Sequence, residues 1–382
     1  MSRDRRNALT LVASVALVVA AFVVAGQAGR RVPVAGDVHG MGYVPNPAGV
    51  REFLSELDEP MFRQAGAECL AKAQGRDTYL YRYVDAAHRE VYGKPFEPWN
   101  QGPHGSCVSF GWGLGSFFAQ SVDWATGKMP HPPKLVATEP IYGGSRTAAR
   151  LPPVTFAGWG DGSYGAAAAR WVAGLKSGQG GIVYREKYGD VDLTTYSIPR
   201  SKEWGAYGAP PAIGKAGMKH TARAVALCED WESLTAALEA GYVVPVCSNV
   251  GFAKTNQRDA DGFLPRGGNW NHCMLLCSIK YAANSGKGNE PRMVNPRDGV
   301  LCLNSWGKGW VAGPKHPPDQ PDGSFWMTRP DAEAILRQSD SFVIGGVSGF
   351  EWRDLHHGGW LQQPPAEPAK PADPPIIRAL AL

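Results

Sequence analysis

Residues 107–124 read CVSFGWGLGSFFAQSVDW, a stretch apolar enough to form a helix that has to be buried. Whatever else the chain does, it must pack around this segment. Three glycines, Gly111, Gly113 and Gly115, each cost such a helix about 1 kcal/mol against alanine. Gly111 and Gly115 fall on one helical face, which implies that another element comes close there. Cys107 opens the segment, so its thiol would stand at a helix N-terminus, where the macrodipole favours a thiolate.

The flanks divide by pattern. Before this helix, residues 46–93 read as helical: Asn46-Pro47 is an N-cap followed by an N1 proline, and Phe53, Leu54 and Leu57 share a face. Asp77 is placed to cap a further helix carrying Leu80, Val84, Ala87 and Val91. Residues 94–106 are punctuated by proline and glycine, and 129–163 form a long turn-rich region. Residues 165–177 and 226–241 read as helices, the second with Asp230 near its start and Gly241 at its close. Three strand candidates come after them, YVVPVCSNV, HCMLLCSIKY and GVLCLNSW, the last two joined by a polar loop at 282–298. Helices dominate the first half and strands the second, so the expected class is α+β.

A chain of 382 residues with 43% apolar content can bury one large core or two modest ones. The formal charge of +4 lies wholly in residues 1–31, where five arginines stand against Asp4; the body is neutral, which excludes a nucleic-acid surface. MSRDRRN followed by the apolar run 8–26 has the form of a signal peptide or an N-terminal membrane anchor, and the run would span about 28 Å at about 1.5 Å per residue. The body is therefore expected outside the cytoplasmic membrane, tethered or secreted. Residues 32–94 form a helical segment, propeptide or accessory in nature, 95–350 the main domain, and 351–382 a proline-rich tail. Seven cysteines in an exported chain suggest one free thiol and up to three bridges, or several simply buried.

Chemistry concentrates in WNQGPHGSCVSFGW, 99–112. A cysteine nucleophile needs a base, a group to orient that base, and donors for an oxyanion. His272 heads one strand candidate and Asn304 ends the next, so adjacent antiparallel strands would bring them to one rim. Gln101, six residues before Cys107, has an amide that can join the Cys107 N–H as an oxyanion hole. Zinc is the rival for His272, since Cys273 and Cys277 are close. Strand parity places 272, 274 and 276 on one face and 273, 275 and 277 on the other, and the spacing is loose for a structural zinc site.

With these residues in place, the chain resembles the papain family of cysteine peptidases. QGPHGSC matches that family's glutamine-to-cysteine stretch, Asn271-His272 its histidine pair, and NSWGKGW its asparagine-bearing stretch, in the same order. The region GDGSYGAAAARWVAGLKSGQGGIVYREKYG is similar to the family's glycine-paired substrate edge, the helix after that edge, and a Gly-Ile-x-Tyr-Arg run. The resemblance covers roughly 95–345. It implies a two-lobed fold, a helical lobe with Cys107 facing an antiparallel-sheet lobe with His272 and Asn304, and an active-site cleft between them. It implies that Gly162 and Ser163 hydrogen-bond a substrate backbone as an added strand, that Trp306 shields the His–Asn bond, and that Tyr164 either walls the cleft or packs. It implies a monomer acting on peptides or proteins, with no cofactor and no metal. The chain departs from the family at Val108, where a tryptophan is usual, and at His104, which stands in place of a bridging cysteine. Two other functions stay open: amidase or transpeptidase action on cell-wall peptides, and peptide binding without catalysis.

Overall fold

The computed structural model describes residues 40–156, 158, 160–252, 256–346, 349–353 and 355. The basic apolar N-terminus and the tail beyond 355 lie outside these residues. Among the described residues, no helix is long and apolar enough to cross a membrane.

The principal helices are α1 (Pro47–Leu54), α2 (Leu80–Tyr92), α3 (Cys107–Ala125), α4 (Glu139–Arg146), α5 (Gly165–Ala173), α6 (Ile198–Tyr207), α7 (Trp231–Glu239) and α8 (Arg329–Leu336). The strands are β1 (Thr78–Tyr79), β2 (Lys187–Tyr188), β3 (Val191–Asp192), β4 (Ala224–Leu227), β5 (Val244–Phe252), β6 (Arg266–Lys280), β7 (Gly299–Leu303), β8 (Ser324–Thr328) and β9 (Phe342–Gly345). The class is α+β. The main sheet is antiparallel, ordered β1-β6-β7-β8, with β5 also on β6. Two further strand pairs, β2 with β3 and β4 with β9, are antiparallel as well.

Helix α3 is the centre: every residue from Cys107 to Asp123 is buried. The face opened by its glycines meets the sheet. A Cβ on Gly111 would lie 2.7 Å from Cys273 Sγ, and one on Gly115 would lie 2.7 Å from Ile344 Cδ1 and 3.0 Å from Pro245 Cγ. The close approach expected there is made by β5, β6 and β9. One continuous apolar core runs from Phe53 and Trp112 through Leu275 to Phe325.

The structure obeys some local signals and overrides others. Asn46 caps α1, accepting the Gly49 N–H at 3.0 Å, with Pro47 behind it. Asp77 does not cap α2; its carboxylate accepts Tyr281 N at 2.9 Å and Asn284 Nδ2 at 2.8 Å. Thr78 and Tyr79 are drawn instead into the sheet against Ile279 and Ser278. The helix expected over 226–241 begins only at Trp231, because 224–227 pair with β9; Asp230 caps it through the Ser233 N–H at 2.8 Å. The turn-rich region 129–163 contains α4, a helix carrying two glycines and a proline.

All seven cysteines are buried and unbridged, which removes the expected disulfides. They are spread through α3, the sheet and the core. Cys247 and Cys273 are direct cross-strand partners.

The far end of β6 holds a buried ammonium. Lys280 Nζ donates to Asp261 O at 2.8 Å and His316 O at 3.3 Å, and stands 4.3 Å from the Trp326 ring centre and 4.7 Å from that of Phe263. Burial, the largest cause, pulls its pKa down to about 7.

Candidate active site

The sheet sets one side of the site. His272 lies on β6, and Leu275 pairs with Leu303, the last residue of β7. Continuing that register by three residues sets Trp306 opposite His272, with Asn304 on the same face. Asn304 Oδ1 lies 2.7 Å from His272 Nε2 and also accepts the Ser305 N–H at 2.7 Å. An atom taking two N–H donors is the amide oxygen, so Nε2 carries the proton and Nδ1 the lone pair. The Trp306 ring stands 4.6 Å from the imidazole, backed by Trp270 and Trp310 at 4.9 and 5.2 Å. Cys273, next along the strand, points the other way, to Gly111. Among the described residues, no group of three or more His, Cys, Asp or Glu side chains is placed to hold a metal.

Helix α3 sets the other side. Cys107 is its first residue, fully buried, with its thiol against the backbone N–H groups of Cys273, Gly42 and Val108. Gln101 is also fully buried. Its N–H donates to Ser305 O at 2.9 Å, its Oε1 accepts Ser305 Oγ at 2.6 Å, and its Nε2 donates to His104 O at 2.8 Å. The glutamine is thereby fixed to the residue next to Asn304.

The cleft between these sides is filled by the chain itself, a feature sequence reasoning missed. Gln101 Nε2 also donates to Gly40 O at 2.8 Å. Ser163 N donates to Gly42 O at 2.7 Å, Val44 N donates to Ser163 O at 2.8 Å, and Tyr43 N donates to Asn271 O at 3.0 Å. Residues 40–44 thus run as a short strand parallel to Ser163, past the thiol. Only glycine fits at two steps: a Cβ on Gly40 would lie 2.3 Å from the His104 carbonyl, and one on Gly42 1.9 Å from Gly105 O. The Gly-Met-Gly run was the available signal.

Burial beneath this strand reverses the expected thiol chemistry. The Cys107 pKa is pushed up to about 12, chiefly by desolvation and then by the neighbouring Cys273, against the weaker lowering by N–H groups. The dipole of α3 does not offset this while the site is covered.

The substrate edge departs from expectation at two residues. Ser163 offers both backbone groups outward. Gly162 offers neither: its N–H donates to Tyr142 Oη at 3.2 Å and its carbonyl accepts Arg146 Nη1 at 2.5 Å. Its φ of 107° and the 2.9 Å that a Cβ would leave to Val44 explain the glycine. Tyr164 forms no wall of the cleft; it is fully buried, donates to Leu151 O at 2.9 Å, and stacks at 6.0 Å on Phe156. His104 is a buried pin under the cleft loop, with Nδ1 2.8 Å from Asp161 Oδ1 and Nε2 3.1 Å from Ser201 Oγ. Where a disulfide would tie this loop down, an ion pair and a hydroxyl do so.

No protein-family model matches the sequence, and no curated protein matches it. Among solved structures the chain is similar to xylellain, a cysteine protease from Xylella fastidiosa, with 19% identity and a TM-score of 0.48 over 81% of this chain and 97% of that one. It is similar to procathepsin B S9 from Trypanosoma congolense, with 11% identity and a TM-score of 0.44 over 82% and 87%. It is also similar to digestive procathepsin L 3 of Tenebrio molitor larval midgut, with 13% identity and a TM-score of 0.41 over 80% and 83%.

Proposed function

We propose that the chain is a papain-type cysteine peptidase that hydrolyses peptide bonds through Cys107, His272 and Asn304, with Gln101 in the oxyanion hole. The observation that carries this is the His272–Asn304 hydrogen bond of 2.7 Å, tied through Ser305 to the Gln101 amide beside Cys107. In this reading His272 Nδ1 takes the Cys107 proton and the thiolate attacks the peptide carbonyl carbon. The oxyanion is held by Gln101 Nε2 and the Cys107 N–H. The protonated His272 then gives its proton to the leaving amine, and water, deprotonated by His272, splits the thioester. Asn304 keeps the imidazole in the required tautomer, and Trp306 keeps water from that bond. The substrate backbone lies along Ser163, where residues 40–44 now lie, and no cofactor takes part.

The test is to incubate the chain with a peptidyl epoxide and locate the adduct by mass spectrometry, beside peptide turnover by wild-type and Cys107→Ala protein. An adduct on Cys107 and loss of turnover in the variant support the reading. Turnover that survives Cys107→Ala overturns it. Peptidoglycan offered in parallel separates cell-wall amidase action.

We further propose that the protein acts as a monomer outside the cytoplasmic membrane, on the strength of the basic and apolar N-terminal sequence. Cell fractionation tests the placement, and full-length protein free in the cytoplasm would refute it.

A further inference from the structure

Within the covering strand, Tyr43 sends its side chain into the protein, and it is 4% exposed. Its backbone pairs with Ser163, so its ring goes where a substrate side chain at that step would go. The ring passes the thiols of Cys247 and Cys273, and its hydroxyl reaches the carboxylate of Asp340. Asp340, 1% exposed, sits just before β9 and is fixed from the far side: Oδ2 accepts Gly165 N at 2.9 Å and Oδ1 accepts Ala166 N at 2.7 Å, both from the first turn of α5. Gly165 permits this contact, since a Cβ there would lie 2.6 Å from Asp340 Oδ1.

We propose that this pocket is the specificity pocket of the cleft and that it selects a tyrosine side chain on the substrate residue paired with Ser163. Three physical points favour the phenol. The walls are apolar and already shaped around a ring. The floor is a rigid acceptor with two donors supplied by the protein and room for one more from the ligand. A phenylalanine would leave that buried acceptor one partner short, and a site built around a hydroxyl rejects the analogue that lacks it. An arginine would bring five donors to a floor that offers one acceptor position. Burial, opposed by the two N–H bonds, raises the Asp340 pKa to about 7, which suits a neutral partner better than a cation.

The assignment rests on the peptidase reading for the word substrate, and the test separates the two. In full-length Tyr43→Ala protein, whose pocket is empty, the rate of Cys107 alkylation by iodoacetamide is measured with hexapeptides that differ only in one residue: Tyr, Phe, Leu or Arg. The Tyr peptide should give half-protection at a concentration about tenfold to a hundredfold below that of the Phe peptide. Asp340→Ala added to Tyr43→Ala should erase that gap. Equal protection by Tyr and Phe, or stronger protection by Arg, overturns the proposal. Should Tyr43→Ala fail to fold, Tyr43→Phe is read in its place: loss of the hydroxyl should speed Cys107 alkylation by about tenfold over wild type, and an unchanged rate overturns the proposal. Hydrolysis of the same peptides is measured separately. Selective protection without hydrolysis keeps the pocket and removes the peptidase reading; hydrolysis without preference does the reverse.

Discussion

Ser305 Oγ donates to Gln101 Oε1 at 2.6 Å, so the residue next to the base-orienting Asn304 also aims the oxyanion amide. The two halves of the proposed chemistry share one dipeptide. Gln101→Ala should lower kcat about 10²–10³-fold, the usual loss for one oxyanion donor. Ser305→Ala should cost about tenfold, because the amide keeps its place but loses its orientation. Steady-state rates on a fluorogenic peptide check both, and a Ser305→Ala loss as large as that of Gln101→Ala would show that the serine does more than aim the amide.

Asn304→Ala should fall between those values, since it orients the imidazole without moving a proton. Its effect should lie in kcat and leave KM nearly unchanged, because no substrate atom meets Asn304 in this arrangement. A loss confined to KM would refute the orienting role.

The covering strand gives a prediction independent of turnover. In Gly42→Ala the new methyl cannot coexist with Gly105 O, 1.9 Å from its position, so residues 40–44 must leave the cleft. Uncovering Cys107 removes the desolvation that holds its pKa near 12. Iodoacetamide at pH 6 should then label Cys107 ahead of the other six thiols, whereas wild-type protein labels slowly at all seven. Equal rates in the two proteins would mean that the strand does not guard the thiol.

Lys280 carries a pH signature. Its folded pKa of about 7 lies below its ordinary value, so between about pH 7 and 10 the unfolded chain binds the extra proton and stability rises with pH. The contribution is present above the unfolded pKa and lost as pH falls through about 7. Lys280→Met should flatten the Tm profile over that window. A slope unchanged by the substitution would assign it to another group.

The site was legible in the sequence because its chemistry is carried by short motifs whose order survives folding. Gln101, Cys107, His272, Asn304 and Trp306 come together because one helix start and two strand ends suffice to place them. The glycine face of α3 was legible for the same reason, since helical spacing alone puts Gly111 beside Gly115. What was illegible depends on distant partners. Ala224–Leu227 has helix-forming residues but is claimed by β9, more than a hundred residues away. Asp77 reads as a cap until Tyr281 and Asn284 compete for its carboxylate. Tyr164 and Gly162 look like cleft residues in a linear motif, but their side chain and backbone are taken by Leu151, Tyr142 and Arg146. The strand at 40–44 had no motif at all, only two glycines whose need appears once Gly105 is above them.

That strand belongs to the same chain as the cleft it fills, joined through Asn46 to α1. Its competition with an incoming peptide is therefore unimolecular, and diluting the protein does not release it. A tether this short sets an effective concentration on the order of millimolar. A peptide must approach that level, or bind correspondingly better, before it enters. The protein should thus respond to substrate with a threshold that it carries in its own first ordered residues, the same at any enzyme concentration.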